Sequence, residues 1–151
     1  MYRGIAAINI DEKGRLALPA RYRDYFSSGE NQVVITIDTE ESCLLMYYLP
    51  DWEDLEAKIE ALPSFNPVAR RVQRLLIGHA AEINIDNNGR ILVPQLLREY
   101  ASLDKQVMLV GQGKKFEIWN AANWESKRRE WLATDSKGIE NLPIELQTLS
   151  L

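Results

Sequence analysis

Apolar and polar positions near the start of the chain alternate with a period of two. Ala6, Ile8 and Ile10 are separated by polar or small residues, the pattern of a half-buried strand. Asp11-Glu12-Lys13-Gly14 interrupts it as a tight turn. Asp bonds readily to the backbone just ahead of it, and Gly supplies the positive φ of a bulged hairpin loop. Arg15 to Leu18 resumes the strand. Pro19 then opens a short helix, where its missing N–H costs little, with Tyr22, Tyr25 and Phe26 as the apolar face. Two β-rich stretches follow, Gln32 to Asp38 and Cys43 to Leu49, joined by the turn Thr39-Glu40-Glu41-Ser42. Asp51 is placed to cap a helix whose apolar positions Trp52, Leu55, Ile59 and Leu62 recur at helical spacing. After a loop from Pro63 to Pro67, Val68 to Ile77 reads as a helix. Val68, Val72, Leu75 and Leu76 are expected inside, and Arg70, Arg71 and Arg74 outside.

The same order then recurs. Ile8-Asn9-Ile10-Asp11-Glu12-Lys13-Gly14-Arg15 returns 75 residues later as Ile83-Asn84-Ile85-Asp86-Asn87-Asn88-Gly89-Arg90, and positions 8–25 and 83–100 share nine identities in eighteen. Arg23 matches Arg98, and Tyr25 matches Tyr100. This is an internal duplication. The second copy continues with strands at Lys105 to Val110 and Lys115 to Trp119 around the turn Gly111-Gln112-Gly113. A last helix carries Trp124 and Trp131, and the pattern fades beyond Asp135 into a tail from Pro143. Each copy is near 50 residues, a size at which a lone domain is marginal, so the two are expected to share one core about a pseudo-twofold axis. The division expected is repeat 1 over 5–52, a helical connector over 53–77, repeat 2 over 78–124, and a C-terminal helix and tail over 125–151. Two copies of one motif suit a partner that is itself repetitive, and DNA is the obvious one.

Net charge is −4 over 151 residues, which looks unsuited to a nucleic-acid binder until it is mapped. Residues 1–25 and residues 63–100 are each +2, whereas residues 26–62 are −8. The acidity lies outside the repeated motif, and the local patch sets the potential that phosphates feel. Cys43 is the only cysteine and His79 the only histidine, so neither an intrachain disulfide nor a cysteine-based zinc site is expected. No apolar stretch has the length of a membrane span, and Met1 to Ile5 runs straight into the first repeat. A cytoplasmic protein with no cofactor, no metal and no small-molecule substrate is expected.

At the paired Asp-x-x-x-Arg turns, Asp11 to Arg15 and Asp86 to Arg90, the chain resembles the MraZ family. The likeness covers nearly all of it: each motif followed by Leu-Ala-Leu-Pro or Ile-Leu-Val-Pro, the helix between repeats, and the Trp-containing helices. Each copy is similar to an AbrB-type swapped-hairpin module. The resemblance therefore implies a β-rich α+β fold, a pseudo-twofold pair of double-split β-barrel modules with flanking helices. It also implies a nucleoid-associated transcriptional regulator, a repressor, of the cell-division and cell-wall gene cluster. Such a regulator binds short G-rich direct repeats in promoter DNA as a ring-shaped homo-oligomer. The antitoxins built on the same half-fold supply the alternative, a protein-interaction module.

Arg15 and Arg90 each follow a glycine at a hairpin tip, and an arginine fork matches guanine O6 and N7. Pairing of each Arg with its own Asp is the plainer reading, and the two are compatible. Asp11, Gly14, Asp86 and Gly89 are expected to form the turns and orient the arginines. A proteolytic pair of aspartates sharing one proton is disfavoured, because such turns carry Ser or Thr after the Asp and here Glu12 and Asn87 follow. Lys13 and Arg3 lie near the first turn in sequence and are candidate phosphate contacts, with surface solvation an equal alternative. Arg70, Arg71 and Arg74 could line a groove but better fit an intersubunit contact with an acidic helix such as that of residues 51–60, with a solvated face the plain alternative. His79 and the four tryptophans read as structural, and the Gly-Gln-Gly segment as a hairpin turn.

Overall fold

The computed structural model describes residues 1–27, 31–134 and 142–149. The side chains of Tyr25 and Phe26, expected on the apolar face of the first helix, lie outside the described ones. The first copy contributes β1 (Ile5–Asn9), β2 (Arg15–Ala17), α1 (Ala20–Ser27), β3 (Gln32–Ile37), β4 (Leu44–Tyr48) and α2 (Leu49–Glu60). A connecting α3 (Pro67–Val72) runs into a π-helical turn, Gln73–Ile77. The second copy supplies β5 (Ala81–Asn84), β6 (Arg90–Leu92), α4 (Gln95–Tyr100), β7 (Gln106–Gly111) and β8 (Phe116–Asn120). Two further helices follow, α5 (Ala121–Ala133) and α6 (Ile144–Gln147). The fold is α+β and sheet-rich.

Strand pairing runs between the copies. A six-stranded antiparallel sheet has the order β1-β7-β8-β4-β3-β5, and β2 pairs with β6 in a separate two-stranded ribbon. The first strand of each copy therefore lies on the outer strand of the other copy's β-hairpin. Registers reveal the symmetry. Asn9 opposes Gln106 and Asn84 opposes Gln32. In the ribbon, Leu16 opposes Ile91, its own repeat equivalent. Where the two halves of the large sheet meet, Leu45 opposes Glu117, flanked by Leu44 with Ile118 and Met46 with Phe116. Reversing the strand order and exchanging the copies returns the same sheet, so the pseudo-twofold axis passes through these two self-opposed pairs.

This pairing explains how two 50-residue copies become stable. Leu16, Leu18, Val33, Ile35, Leu44 and Met46 from the first copy share one buried cluster with Ile91, Val93, Leu97, Val107, Leu109 and Ile118 from the second. Phe116 seats the aromatic contribution, 4.5 Å from the Tyr2 ring and 4.6 Å from the Tyr22 ring between centroids. A smaller cluster of Val34, Leu45, Tyr47, Leu49 and Trp52 sits on the other face of the sheet, beneath α2.

Several local readings shift. Asp51 does not cap α2; Tyr48 holds that position without a side-chain bond, Pro50 opens the helix, and Asp51 lies in the first turn. A carboxylate there still faces the positive end of the helix dipole. Leu62 lies past the last turn and is 40 % exposed. Val68 is 70 % exposed rather than inside. Asn66 caps α3 by accepting from the Val68 and Ala69 amides, at 2.9 and 3.2 Å, and that start turns Ala69 inward instead. The π-helical turn then re-aims the helix, so that Leu75 joins the main core and Leu76 the smaller cluster. Trp52 and Trp119 are core residues. Trp131, in the separate unit formed by residues 122–151, is 45 % exposed and meets Trp124 edge-on at 5.9 Å. His79 is structural, with Nδ1 2.7 Å from the Leu75 carbonyl.

Candidate nucleic-acid interface

The two repeated turns have almost the same construction. In the first, Asp11 Oδ1 accepts from the amides of Lys13 and Arg15, both at 2.9 Å, and Oδ2 accepts from Arg15 Nε at 2.9 Å. Backbone bonds from Gly14 N to Asp11 O and from Asp11 N to Arg15 O close the loop. In the second, Asp86 Oδ1 accepts from Asn88 N at 2.9 Å and Arg90 N at 2.8 Å, and Oδ2 from Arg90 Nε at 3.1 Å. Gly14 and Gly89 stand at φ +89° and +73°, the left-handed region that a side chain resists. Each aspartate thus closes a turn and engages an arginine with one carboxylate.

The Arg15 amide, donating to Asp11, holds that carboxyl below the usual carboxylate range, and the Arg90 amide does the same for Asp86. Both acids are ionised at neutral pH. A proton-sharing dyad needs one carboxyl pushed well up, and here both move down, each beside its own arginine.

The ribbon decides where the arginines go. Side chains alternate along a strand, so Leu16 and Ile91 point into the core, 1 % exposed each. Arg15, Ala17, Arg90 and Leu92 share the opposite face. Arg15 opposes Leu92 and Ala17 opposes Arg90, which makes the arginines diagonal neighbours, roughly 7–8 Å apart at Cα. With Nε engaged by the aspartate, the terminal Nη pair of each arginine makes no further hydrogen bond among the described residues. The arginine side chains are about one-third exposed, 32 % and 34 %. The face therefore carries two oriented, symmetry-related guanidinium forks.

Not every residue singled out in the sequence joins them. Lys13 sits exposed at the first tip, and Asn88 takes its place at the second. Arg3 does not belong with the first turn. The five residues of β1 alone put roughly 17 Å between it and Asp11, and Arg3 instead lies beside Gly111, its carbonyl accepting from the Tyr22 hydroxyl at 2.5 Å. Gly111-Gln112-Gly113 is the hairpin bend, closed by Gln112 N to Lys115 O at 2.9 Å.

Two groupings went unseen in the sequence. Arg23 and Arg98 pack against the repeated turns; their identity at the repeat offset was the available signal. Asp38, Cys43 and Glu117 converge with ligand-type atoms within 4.8 Å of one another. Cys43 Sγ lies 3.6 Å from Asp38 Oδ2, and Trp119 Nε1 donates to Glu117 Oε1 at 3.1 Å. Burial pushes both the Cys43 thiol and the Glu117 carboxyl up. The buried thiol stays protonated and faces the Asp38 carboxylate, the opposite of a thiolate ready for a metal.

No helix among the described residues is long and apolar enough to cross a membrane. The family model described as "MraZ protein, putative antitoxin-like" matches residues 1–75 and again residues 76–139, one match per copy. Full-length relatives named "Transcriptional regulator MraZ" occur in Coxiella burnetii at 55 % identity, in Legionella pneumophila at 53 % and in Halorhodospira halophila at 51 %. Each alignment spans 152 residues and covers 100 % of both chains. With the duplicated turns, the matching of both halves and these full-length relatives in agreement, the chain belongs to the MraZ family.

Proposed function

We propose that this chain is a non-enzymatic, sequence-specific DNA-binding transcriptional regulator that docks through the outer face of the β2–β6 ribbon. The observation that carries the reading is the pair of oriented arginines on that one face. Copies 5–52 and 78–124 contribute one turn each. Arg15 and Arg90 present their terminal nitrogens to guanine edges, and Lys13 neutralises a phosphate beside the first turn. Asp11, Gly14, Asp86 and Gly89 hold the geometry. Arg3, at the far end of β1, serves at most a phosphate distant from the turns. The relatives named as transcriptional regulators support this reading, and so does the concentration of positive charge in the repeated segments.

The finer proposal follows the family resemblance: a cytoplasmic, nucleoid-associated ring that represses the cell-division and cell-wall cluster through short G-rich direct repeats. Two arginines touch few base pairs, so one ribbon binds weakly. Several ribbons facing tandem sites multiply that affinity through effective concentration. Among the described residues, Arg70, Arg71 and Arg74 on the connector and the acidic α2 are the complementary surfaces for such a ring.

The test is a titration with promoter DNA from upstream of the chain's own gene. Wild type and the double variant Arg15→Ala, Arg90→Ala are compared at two salt concentrations, with mass checked by light scattering. Salt-sensitive, selective binding that disappears in a still-assembled variant is expected. Unchanged binding by that variant would move the interface elsewhere. The antitoxin-type alternative has its own support in the C-terminal segment, where Ile144, Leu146 and Leu149 are exposed at 70, 41 and 57 %. An assembled wild type without selective DNA binding would favour it.

A further inference from the structure

Arg23 and Arg98 are repeat equivalents that take no part in the aspartate–arginine pairs, yet each lies against a turn, and crosswise. Arg98 follows the second turn in sequence but packs on the first. A Cβ placed on Gly14 would stand 2.7 Å from both Cζ and Nε of Arg98. Arg23 follows the first turn but packs on the second, where a Cβ on Gly89 would stand 2.7 Å from its Cδ and 2.8 Å from its Cζ. The positive φ favours glycine at each turn, and a side chain there would also have to displace the arginine lying over the α-carbon.

The hydrogen bonds close the same crossed circuit. Arg98 Nε donates to the Val93 carbonyl at 3.0 Å, and the Val93 amide donates to the Gly14 carbonyl at 2.9 Å. Arg23 Nε donates to the Leu18 carbonyl at 2.8 Å, and the Leu18 amide donates to the Gly89 carbonyl at 2.9 Å. One residue of each copy therefore bonds the other copy's turn and also the arginine that covers it. An exposed ion pair such as Asp11–Arg15 holds a side chain only loosely, so a turn with that pair alone would sample many arginine positions. A planar guanidinium packed over the glycine and anchored at Nε would narrow that range by bracing the turn. Lysine offers neither the plane nor the Nε donor.

We propose that Arg98 is the positioning residue for Arg15, and Arg23 the positioning residue for Arg90. Each copy thereby orders the recognition turn of the other, and neither half is a competent DNA-binding module alone. This rests on the reading of the ribbon face as the DNA interface, but its structural half is testable without DNA.

Amide hydrogen exchange by mass spectrometry is measured on the full-length protein for wild type, Arg98→Ala, Arg98→Lys, Arg23→Ala and Arg23→Lys. Arg98 variants are expected to raise exchange in residues 11–15 about tenfold or more and leave 86–90 near wild type. Arg23 variants do the reverse, and lysine does not restore protection. If alanine unfolds the protein, the lysine variant, which keeps the aliphatic stem, gives the reading. DNA titrations then supply the functional half. Arg98→Ala weakens binding severalfold, its loss overlaps with that of Arg15→Ala, and it adds to that of Arg90→Ala. Exchange rising in both turns equally, or in the same-copy turn, overturns the proposal. Unchanged exchange with a reduced salt slope also overturns it, by making these arginines direct phosphate contacts. If wild type fails to bind DNA selectively while exchange responds crosswise, the interface reading falls and the positioning stands.

Discussion

The two turns differ where difference costs little and agree where it costs much. Asp, Gly and Arg recur at both, and the bonds that they make match to within about 0.2 Å. The two tip residues differ fully, Glu12-Lys13 in one and Asn87-Asn88 in the other. Every frame bond from the tips uses a backbone amide, Lys13 N or Asn88 N, so no tip side chain is needed to hold the turn. The frame is a positional device and the tip an adjustable surface. Two such turns about one axis need not meet a partner equally even though they are built alike.

The largest expected effect comes from removing what the turns share. Leu16 and Ile91 face each other at the axis, and both are essentially buried. Leu16→Ala and Ile91→Ala are each expected to cost about 2–5 kcal/mol of stability through reduced burial and an unfilled cavity. Urea denaturation checks this, and the two losses should agree within about 1 kcal/mol if the axis is energetically symmetric. A large inequality would show that one copy carries the fold and the other rides on it.

Next come the arginines themselves. Arg15→Ala and Arg90→Ala are each expected to weaken selective binding by about 1–3 kcal/mol per contacted base pair, with urea midpoints close to wild type. Fluorescence anisotropy with one labelled operator gives both values. Arg15 should show the larger loss if Lys13 seats its turn more firmly on the backbone. Equal losses would mean that the tips do not bias the two turns.

Much of this arrangement is readable from the residues alone, and the rest fails for identifiable reasons. Strands β1, β2, β5 and β6 follow from alternation, and the turns follow from Asp and Gly chemistry, because both are local. Partner choice is not local. Nothing in Ile5 to Asn9 says that it pairs with β7 rather than with a strand of its own copy. The misplacement of Arg3 has the same root, since nearness in sequence becomes distance along an extended strand. Of the four residues expected inside on the connecting helix, Leu75 and Leu76 pack as expected and Val68 alone turns outward, because the Asn66 cap sets a start that brings Ala69 inward. Arg23 and Arg98 were visible only as identities, and their meaning depends on the crossing of the copies.

A smaller effect separates the orienting acid from the oriented base. Asp11→Asn and Asp86→Asn keep an acceptor oxygen for the turn but remove the charge that pairs with Nε. The binding loss expected is a few-fold, less than that from removing the arginine, as suits an exposed pair. Acid should do the same to both turns. The folded carboxyls titrate below their ordinary values, so their pairing is complete above about pH 4 and is lost as pH falls through the lowered values. Between pH 5 and 8 these two pairs should contribute no pH dependence. Carboxyl carbon shifts followed by NMR would report the two midpoints, and a midpoint above the ordinary aspartate range at either turn would contradict the bonding described.

The smallest effect should come from exchanging the tips, and it discriminates most finely between frame and surface. Glu12→Asn with Lys13→Asn turns the first tip into a copy of the second. It removes one charge of each sign, so net charge and the long-range field stay nearly constant. The frame bonds remain, because they run through Asp11, Gly14, Arg15 and the backbone amide at position 13. What disappears is a flexible cation at the tip. If Lys13 neutralises one phosphate, the slope of log affinity against log salt should become shallower by about 0.9 per tip removed. The ranking of operator sequences should stay the same, since a phosphate carries no sequence information. The reverse exchange, Asn87→Glu with Asn88→Lys, should steepen the slope. A tip exchange that reordered sequence preference at constant slope would give base reading to the tips and leave the arginines to hold the backbone.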